Sequence, residues 1–251
     1  MWKRLVKRTL DLAGYAIVNK RGRYAYDGLF VMHSDHFRRD PAFQAAYARG
    51  TQASNGVDPH FEWRVHVALW AAAEALRVPG DFVECGVNAG FISSAIMHRL
   101  NWRTVDRRFY LIDTFRGPVL AQYSTDEVAR GRRRLAEDGL ASGSYVTDIE
   151  RIRANFSEWP NAAVAEGEVP GALPGLGIDS VAFLHIDMNC AYPEQAALEL
   201  FWNQLSPGAL VLLDDYAYFG HDCQREAIDA SARKLGIEVL SMPTGQGLII
   251  R

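Results

Sequence analysis

Five short apolar runs, FVECGV, FYLIDTF, NAAVAEG, VAFLHID and ALVLLDD, recur through the back of the chain, each separated from the next by a stretch with helical spacing. Several are almost unbroken in hydrophobicity. That pattern belongs to parallel strands shielded on both faces rather than to strands with one wet side. Parallel neighbours need long crossovers, and the intervening segments predict helices over Phe91–Leu100, Asp126–Asp138, Asp148–Phe156 and Pro193–Leu205. Right-handed crossovers of this kind give a doubly wound sheet.

The tail changes character. After a predicted helix Cys223–Leu235, the runs IEVLSM and GLIIR flank the turn-rich segment Pro243-Thr244-Gly245-Gln246-Gly247 and predict an antiparallel pair. The expected fold class is therefore α/β: a Rossmann-like seven-stranded sheet, parallel with an antiparallel C-terminal strand, with helices on both faces. A chain of 251 residues, 49% of them hydrophobic, suffices for one such domain.

A break near Gly80 divides a variable front from this regular back. Residues 1–79 are expected to form an N-terminal helical arm and a candidate substrate lid, and residues 80–251 the core. The opening MWKRLVKRTLDLAGY is amphipathic, which suits packing on the domain or on the partner of a homodimer; a basic helix resting on a membrane surface is the alternative. Asp40 is placed as the N-cap of a helix Pro41–Arg49, and apolar spacing predicts a second helix over Phe61–Leu76. Tyr24, Tyr26, Phe30 and Phe37 either line a pocket or fill core.

Charge and cysteine usage narrow the function. With 27 basic and 30 acidic residues the chain lacks the field of a nucleic-acid surface, and no apolar run approaches the roughly 18 to 20 residues that span a bilayer. Neither an export signal nor membrane insertion is read. Cys85, Cys190 and Cys223 form no CxxC spacing, so a reducing cytoplasm and small-molecule chemistry are expected.

The first strand ends in Glu84-Cys85-Gly86-Val87-Asn88-Ala89-Gly90 and runs directly into a helix. Glycines allow close backbone approach, and a helix N-terminus offers N–H groups to a carboxylate such as that of methionine. A dinucleotide enzyme would show GxGxxG here, but Cys85 stands at the first glycine, so ExGxxxG favours S-adenosylmethionine. Asp113 closes the second strand where an acid reaches ribose hydroxyls, followed by Thr114 and Phe115, and Gly167-Glu168 closes the third, beside the expected adenine edge. Tight-turn packing for the glycines and capping for Asp113 are the structural alternatives.

The strands ending in HID and LLDD bring Asp187, Asp214 and Asp215 to the carboxyl ends of expected neighbours, about 4.8 Å apart. Three crowded carboxylates repel unless a cation compensates them, and an all-oxygen set suits Mg²⁺ or another hard divalent ion. Helix capping or pairing with arginines is the competing explanation.

With PGDFVECGV, YLIDTFRG, FLHID and LSPGALVLLDDY, the chain resembles the macrocin, mycinamicin and novobiocin sugar O-methyltransferases, a metal-dependent branch of the class I methyltransferases. The resemblance implies the class I sheet, S-adenosylmethionine and a divalent metal on Asp187, Asp214 and Asp215. It also marks two departures. The family's DxD reads Asp187-Met188-Asn189 here, and a neutral amide cannot take the proton from the acceptor hydroxyl. Asn88-Ala89-Gly90-Phe91 stands where the family is richer in Arg and Gly.

The expected reaction is methyl transfer to a hydroxylated small molecule, a sugar of a natural product or polysaccharide precursor or a catechol-like group, held on the metal. With Asn189 at the base position, the proton leaves through a metal-bound water, His221, His33 or His36; His185, on the same strand face as Asp187, is a further candidate, although a paired, buried core histidine is the favoured reading of it, and Asn189 otherwise orients substrate. A nicotinamide-dependent oxidoreductase and a non-catalytic or membrane-recruited S-adenosylmethionine-binding module are the rival readings.

Overall fold

The computed structural model describes residues 6, 8–10, 12–15 and 23–251. The amphipathic opening helix, with the homodimer expected through it, falls largely outside the described residues. A seven-stranded sheet runs in the order β5-β4-β3-β6-β7-β9-β8, where β3 is Asp81–Cys85, β4 Phe109–Asp113, β5 Ala162–Glu166, β6 Val181–Ile186, β7 Leu205–Leu213, β8 Leu240–Ser241 and β9 Gly247–Ile250. The strands β3 to β7 pair in parallel, and β9 is antiparallel to both β7 and β8. The winding reverses between β3 and β6, and open α/β sheets bind their ligands beyond the strand ends at such a point.

Strand alternation assigns each residue of β3 and β6 to a face. Phe82 and Phe183 join Trp102 and Phe109 in one buried layer, under the helices Pro41–Ala53, Glu62–Ala75 and Phe91–Arg99. Val83, Leu184 and Ile186 face the opposite layer, under Ala191–Phe201 and Asp222–Leu235. Glu84 and His185 have the parity of the first layer and are direct cross-strand partners, so two polar side chains meet at the carboxyl end of an otherwise apolar face. The helix Glu62–Ala75, which carries Arg64, covers that same face.

The expected helices appear with shifted ends. Asp40 accepts from Ala42 N–H at 3.0 Å and starts Pro41–Ala53, and Asp148 caps Ile149–Phe156. The helix expected over Asp126–Asp138 is broken by Gly131 at φ 78° into Thr125–Ala129 and Arg132–Ser142. The sequence reading missed a short 3-10 helix, His36–Arg39, and a hairpin in the front segment. Tyr24–Tyr26 (β1) and Leu29–Val31 (β2) form an antiparallel hairpin whose turn, Asp27-Gly28, has φ of 51° and 68°. Asp-Gly between apolar runs is the strongest short-range hairpin signal, and here the runs are three residues each and too short to register as periodic. Tyr24 and Phe37 fill core: Tyr24 donates to His60 O, and Phe37 stacks on His66 with ring centroids 4.0 Å apart. All three cysteines are free and buried, and no helix among the described residues is long and apolar enough to cross a membrane.

Candidate functional site

Beyond the carboxyl ends of β3, β4 and β5 lies a cleft walled by Ile112, Asp113, Thr114, Gln122, Tyr145 and Val169, among others. The turn after β3 forms its floor. A Cβ on Gly86 would fall 1.7 Å from the Asp187 carbonyl oxygen, and the residue sits at φ 91°, so only glycine lets β3 and β6 close at this point. The turn is then pinned by Asp113. Its Oδ2 accepts from Val87 N–H at 2.7 Å and Asn88 N–H at 2.8 Å, and its Oδ1 accepts from Phe115 N–H at 2.8 Å. One carboxylate thus satisfies three backbone donors in a loop that has no ladder of its own.

A second cavity of about 590 Å³ opens toward the front segment, a size typical of small-molecule sites. Its lining sets apolar side chains such as Phe61, Phe91 and Ile92 beside five acids, Asp27, Glu84, Asp187, Asp214 and Asp215, together with Arg64, Arg151 and His221. Glu84 is buried, its Oε1 lies 2.8 Å from His185 Nδ1, and its Oε2 has no protein partner. Burial alone would lower the His185 pKa, but Asp214 and Glu84 outweigh it and push it up to about 10.

Arg64 enters the aspartate cluster from the first turn of its helix. Its Nη1 pairs with Asp214 Oδ2, its Nη2 lies 3.4 Å from Asp215 Oδ1, and its Nε lies 3.1 Å from Asp27 Oδ2. Burial would lower the Arg64 pKa, yet Asp214, Asp215 and Asp27 together raise it above its ordinary value. Asp214 is likewise pushed up by burial but held below the usual carboxylate range by Arg64 and His185. For Asp187 the compensation from His185 and Arg64 is outweighed. Burial, then Asp214 and Asp215, raise its pKa well above the usual carboxylate value.

The two cavities share Gly86, Asn88, Val146, Asp187 and Asn189. Asn189 sits at φ 57°, and its amide lies 3.3 Å from Asp187 Oδ1. Its loop is tied down by Tyr123, whose hydroxyl donates to Asn189 O at 3.3 Å, and by buried Glu127, which accepts from Ala191 N–H at 2.9 Å. A cleft and a cavity that meet at a carboxyl group have room for two molecules held side by side, as group transfer requires. The family model of the macrocin O-methyltransferases (TylF) matches residues 66–239. The chain belongs to this family. A Streptomyces olivaceus relative, 8-demethyl-8-(2,3-dimethoxy-alpha-L-rhamnosyl)-tetracenomycin-C 4'-O-methyltransferase, is 32% identical over 183 residues, which cover 69% of this chain and 66%, just under two thirds, of that relative. Among solved structures, the O-methyltransferase NovP shares the fold with a TM-score of 0.66 at 19% identity, covering 87% of this chain and 99% of NovP. The calicheamicin methyltransferase CalS11 does so with a TM-score of 0.59 at 16% identity, covering 94% and 98%.

In this macrocin O-methyltransferase family member, the structure gathers most of the residues expected from sequence but gives several of them different work. Gly86, Asn88, Asp113, Thr114 and Gly167 line the first cleft, while Val87 lines the second cavity. The Val87 and Asn88 N–H groups, expected to meet a ligand carboxylate, donate to Asp113. Gly90 is the N-cap of Phe91–Arg99 at φ 76°, where a Cβ would strike the Phe156 ring at 2.6 Å, so packing is what demands glycine there. The Phe115 side chain is buried in the core, and Glu168 is exposed beside the cleft, which Gly167 and Val169 line instead. His185 is fully enclosed and lines neither cavity; His221 lines the second cavity, its Nδ1 3.1 Å from Asp215 Oδ2. His33 and His36 line neither cavity.

The family resemblance implied a divalent ion on Asp187, Asp214 and Asp215, and the donor set does not fit one as it stands. Asp214 Oδ2 and Asp215 Oδ1 face Arg64, Asp214 Oδ1 accepts from Gln246 Nε2 at 2.9 Å, and Asp215 Oδ2 faces His221. Among the described residues no group of three or more His, Cys, Asp or Glu side chains is arranged to hold a metal ion. Sequence reasoning missed Arg64, Asp27, Gln246 and Tyr145. Arg64 left a faint signal, a lone arginine between Glu62-Trp63 and Val65 in an apolar helix.

Proposed function

We propose that the chain is an S-adenosylmethionine-dependent O-methyltransferase acting on a sugar hydroxyl of a natural-product glycoside. The observation that carries this reading is that Asp187 is, among the described residues, the one ionisable side chain lining both cavities. Family membership and the rhamnosyl-directed relative support the choice of a sugar over a catechol. The unpartnered Glu84 Oε2 lines the second cavity next to the shared Gly86 turn, so it suits the amino group of a donor that reaches from the cleft across that opening, and Asp113 with Gly167 in the cleft suits its ribose and adenine.

When bound, S-adenosylmethionine supplies an electrophilic methyl group on a sulfonium. The chain's own residues hold the acceptor and take its proton. Asp187 receives the proton of the attacking hydroxyl as the oxygen–methyl bond forms and the sulfur–methyl bond breaks. Burial and the neighbouring aspartates raise its pKa, His185 and Arg64 pull it back toward the ionised form, and the ionised carboxylate is the form that accepts the proton. Asn189, placed where the family carries a second acid, donates toward Asp187 Oδ1 and orients it. The polar walls of the acceptor cavity, Asp27, Asn55, Tyr218 and His221, match the several hydroxyls of a sugar ring.

The test is methyl transfer from labelled S-adenosylmethionine to a panel of 6-deoxyhexosyl polyketides and catechols, read by mass spectrometry. A singly methylated glycoside is expected. Asp187→Asn should lower kcat by about a hundredfold or more, the scale of a lost general base, while S-adenosylhomocysteine affinity stays within a few-fold. Full activity of Asp187→Asn, or methylation of catechols alone, would contradict the reading.

A further inference from the structure

Arg64 is the hub of an ion network that joins three separate parts of the chain. Its Nη1 and Nη2 face Asp214 and Asp215 beyond β7, and its Nε faces Asp27 in the turn of the β1–β2 hairpin. The guanidinium carbon lies 4.3 Å from the Tyr218 ring centroid, and the Tyr218 hydroxyl donates to Asp27 Oδ1 at 3.0 Å. Remaining oxygens of the aspartate pair are taken by Gln246 and His221. We propose that the Arg64 guanidinium, in place of a divalent ion, is the resident cation of this aspartate cluster, so that donor binding and methyl transfer proceed without added metal.

The second half of that statement rests on the proposed function; the first does not. A guanidinium presents a planar fork of donors that matches two adjacent carboxylates, keeps its charge at any working pH and needs no hydration shell. Mg²⁺ demands near-octahedral oxygens at about 2.0–2.1 Å, several of them water. To seat it on Asp214 and Asp215, the Arg64 side chain would have to leave a site in which it is 8% exposed, and its helix is held by the fully buried Val65 and Ala68. The displaced guanidinium would be left buried without its partners, the least favourable state for a charge. The cluster therefore selects against the ion through a cation already built into the chain.

The experiment uses the full chain after exhaustive dialysis against a chelator. Elemental analysis is expected to find no stoichiometric divalent ion, and thermal unfolding is expected to show the same Tm with and without millimolar MgCl₂ or MnCl₂. An ion at about a hundredfold its Kd would raise Tm by several degrees. S-adenosylhomocysteine affinity by calorimetry should change by less than about twofold between chelator and Mg²⁺, against the tenfold or greater effect of a bridging ion. Arg64→Ala frees the carboxylates and should make Tm rise with Mg²⁺ in that variant alone. If the variant folds and Mg²⁺ leaves its Tm unchanged, Arg64 is not what keeps the ion out and the proposal fails. If it does not fold, the wild-type titration decides: a retained ion, a saturable rise in Tm with Mg²⁺ or chelator-sensitive affinity overturns the proposal. These measurements need no acceptor, so failure to methylate any glycoside would refute the functional reading without touching them.

Discussion

Replacing Asp113 by Asn removes one of two acceptor oxygens while keeping the shape of the side chain. In the native site Oδ2 serves Val87 and Asn88 N–H, and Oδ1 serves Phe115 N–H. An amide has a single acceptor oxygen. If that oxygen takes the Val87–Asn88 pair, the new NH₂ faces the Phe115 N–H, donor against donor, and the reverse rotamer leaves two donors stranded. One charge-assisted bond is lost outright and the others weaken to neutral ones, a cost of about 2–4 kcal/mol. Urea unfolding with an unchanged m-value should show it as a fall in midpoint of about 1 M, given m near 2–3 kcal/mol/M for a domain of this kind. Calorimetry with S-adenosylhomocysteine supplies the second readout. If the same carboxylate also receives the ribose hydroxyls, affinity falls by a further tenfold or more, each tenfold being about 1.4 kcal/mol. Stability within about 0.5 kcal/mol of wild type would refute the claim that Asp113 holds the turn. A stability loss with unchanged affinity would reduce Asp113 to a turn anchor.

Gly86→Ala places a Cβ 1.7 Å from the Asp187 carbonyl oxygen and should abolish S-adenosylhomocysteine binding in calorimetry, whereas Gly143→Ala, at φ 74° with open space around it, should bind normally and lose only about 1 kcal/mol of stability. Buried Glu194 has a pKa raised well above its ordinary value, by burial first and then by Asp215 and Asp187. Between the unfolded pKa and that raised folded value the unfolded chain sheds a proton that the folded chain keeps, so this group makes stability fall as pH rises through the window. Glu194→Gln keeps an oxygen for Met188 N–H and should flatten that fall in urea midpoints measured from pH 5 to 8; an unchanged slope would show that Glu194 is not the titrating group.

The sheet was legible because burial on both faces forces parallel strands to be continuously apolar, and Phe82-Val83, Phe183-Leu184 and Val211-Leu212 could be little else. Strand-end acids were legible for the same reason: Asp113, Asp187, Asp214 and Asp215 stand out against such runs. What each acid meets was not. Asp113 turns to the backbone of a neighbouring loop, and the compensation of Asp214 and Asp215 comes from Arg64, about 150 positions away in a helix that reads as ordinary core cover. Pairing across that distance leaves no periodic trace. The β1–β2 hairpin was hidden because its strands are too short for alternation to show, although Asp27-Gly28 announced its turn.

The central claim is that a methyl donor and a glycoside hydroxyl meet at Asp187. A crystal structure with S-adenosylhomocysteine bound tests it most directly. The account predicts the thioether sulfur at the opening bounded by Gly86, Asn88, Val146, Asp187 and Asn189, with adenine toward Gly167 and Val169 and the sulfur facing the cavity that Asp27 and Tyr218 line. A bound molecule whose sulfur is walled off from Asp187 or from that cavity would contradict it.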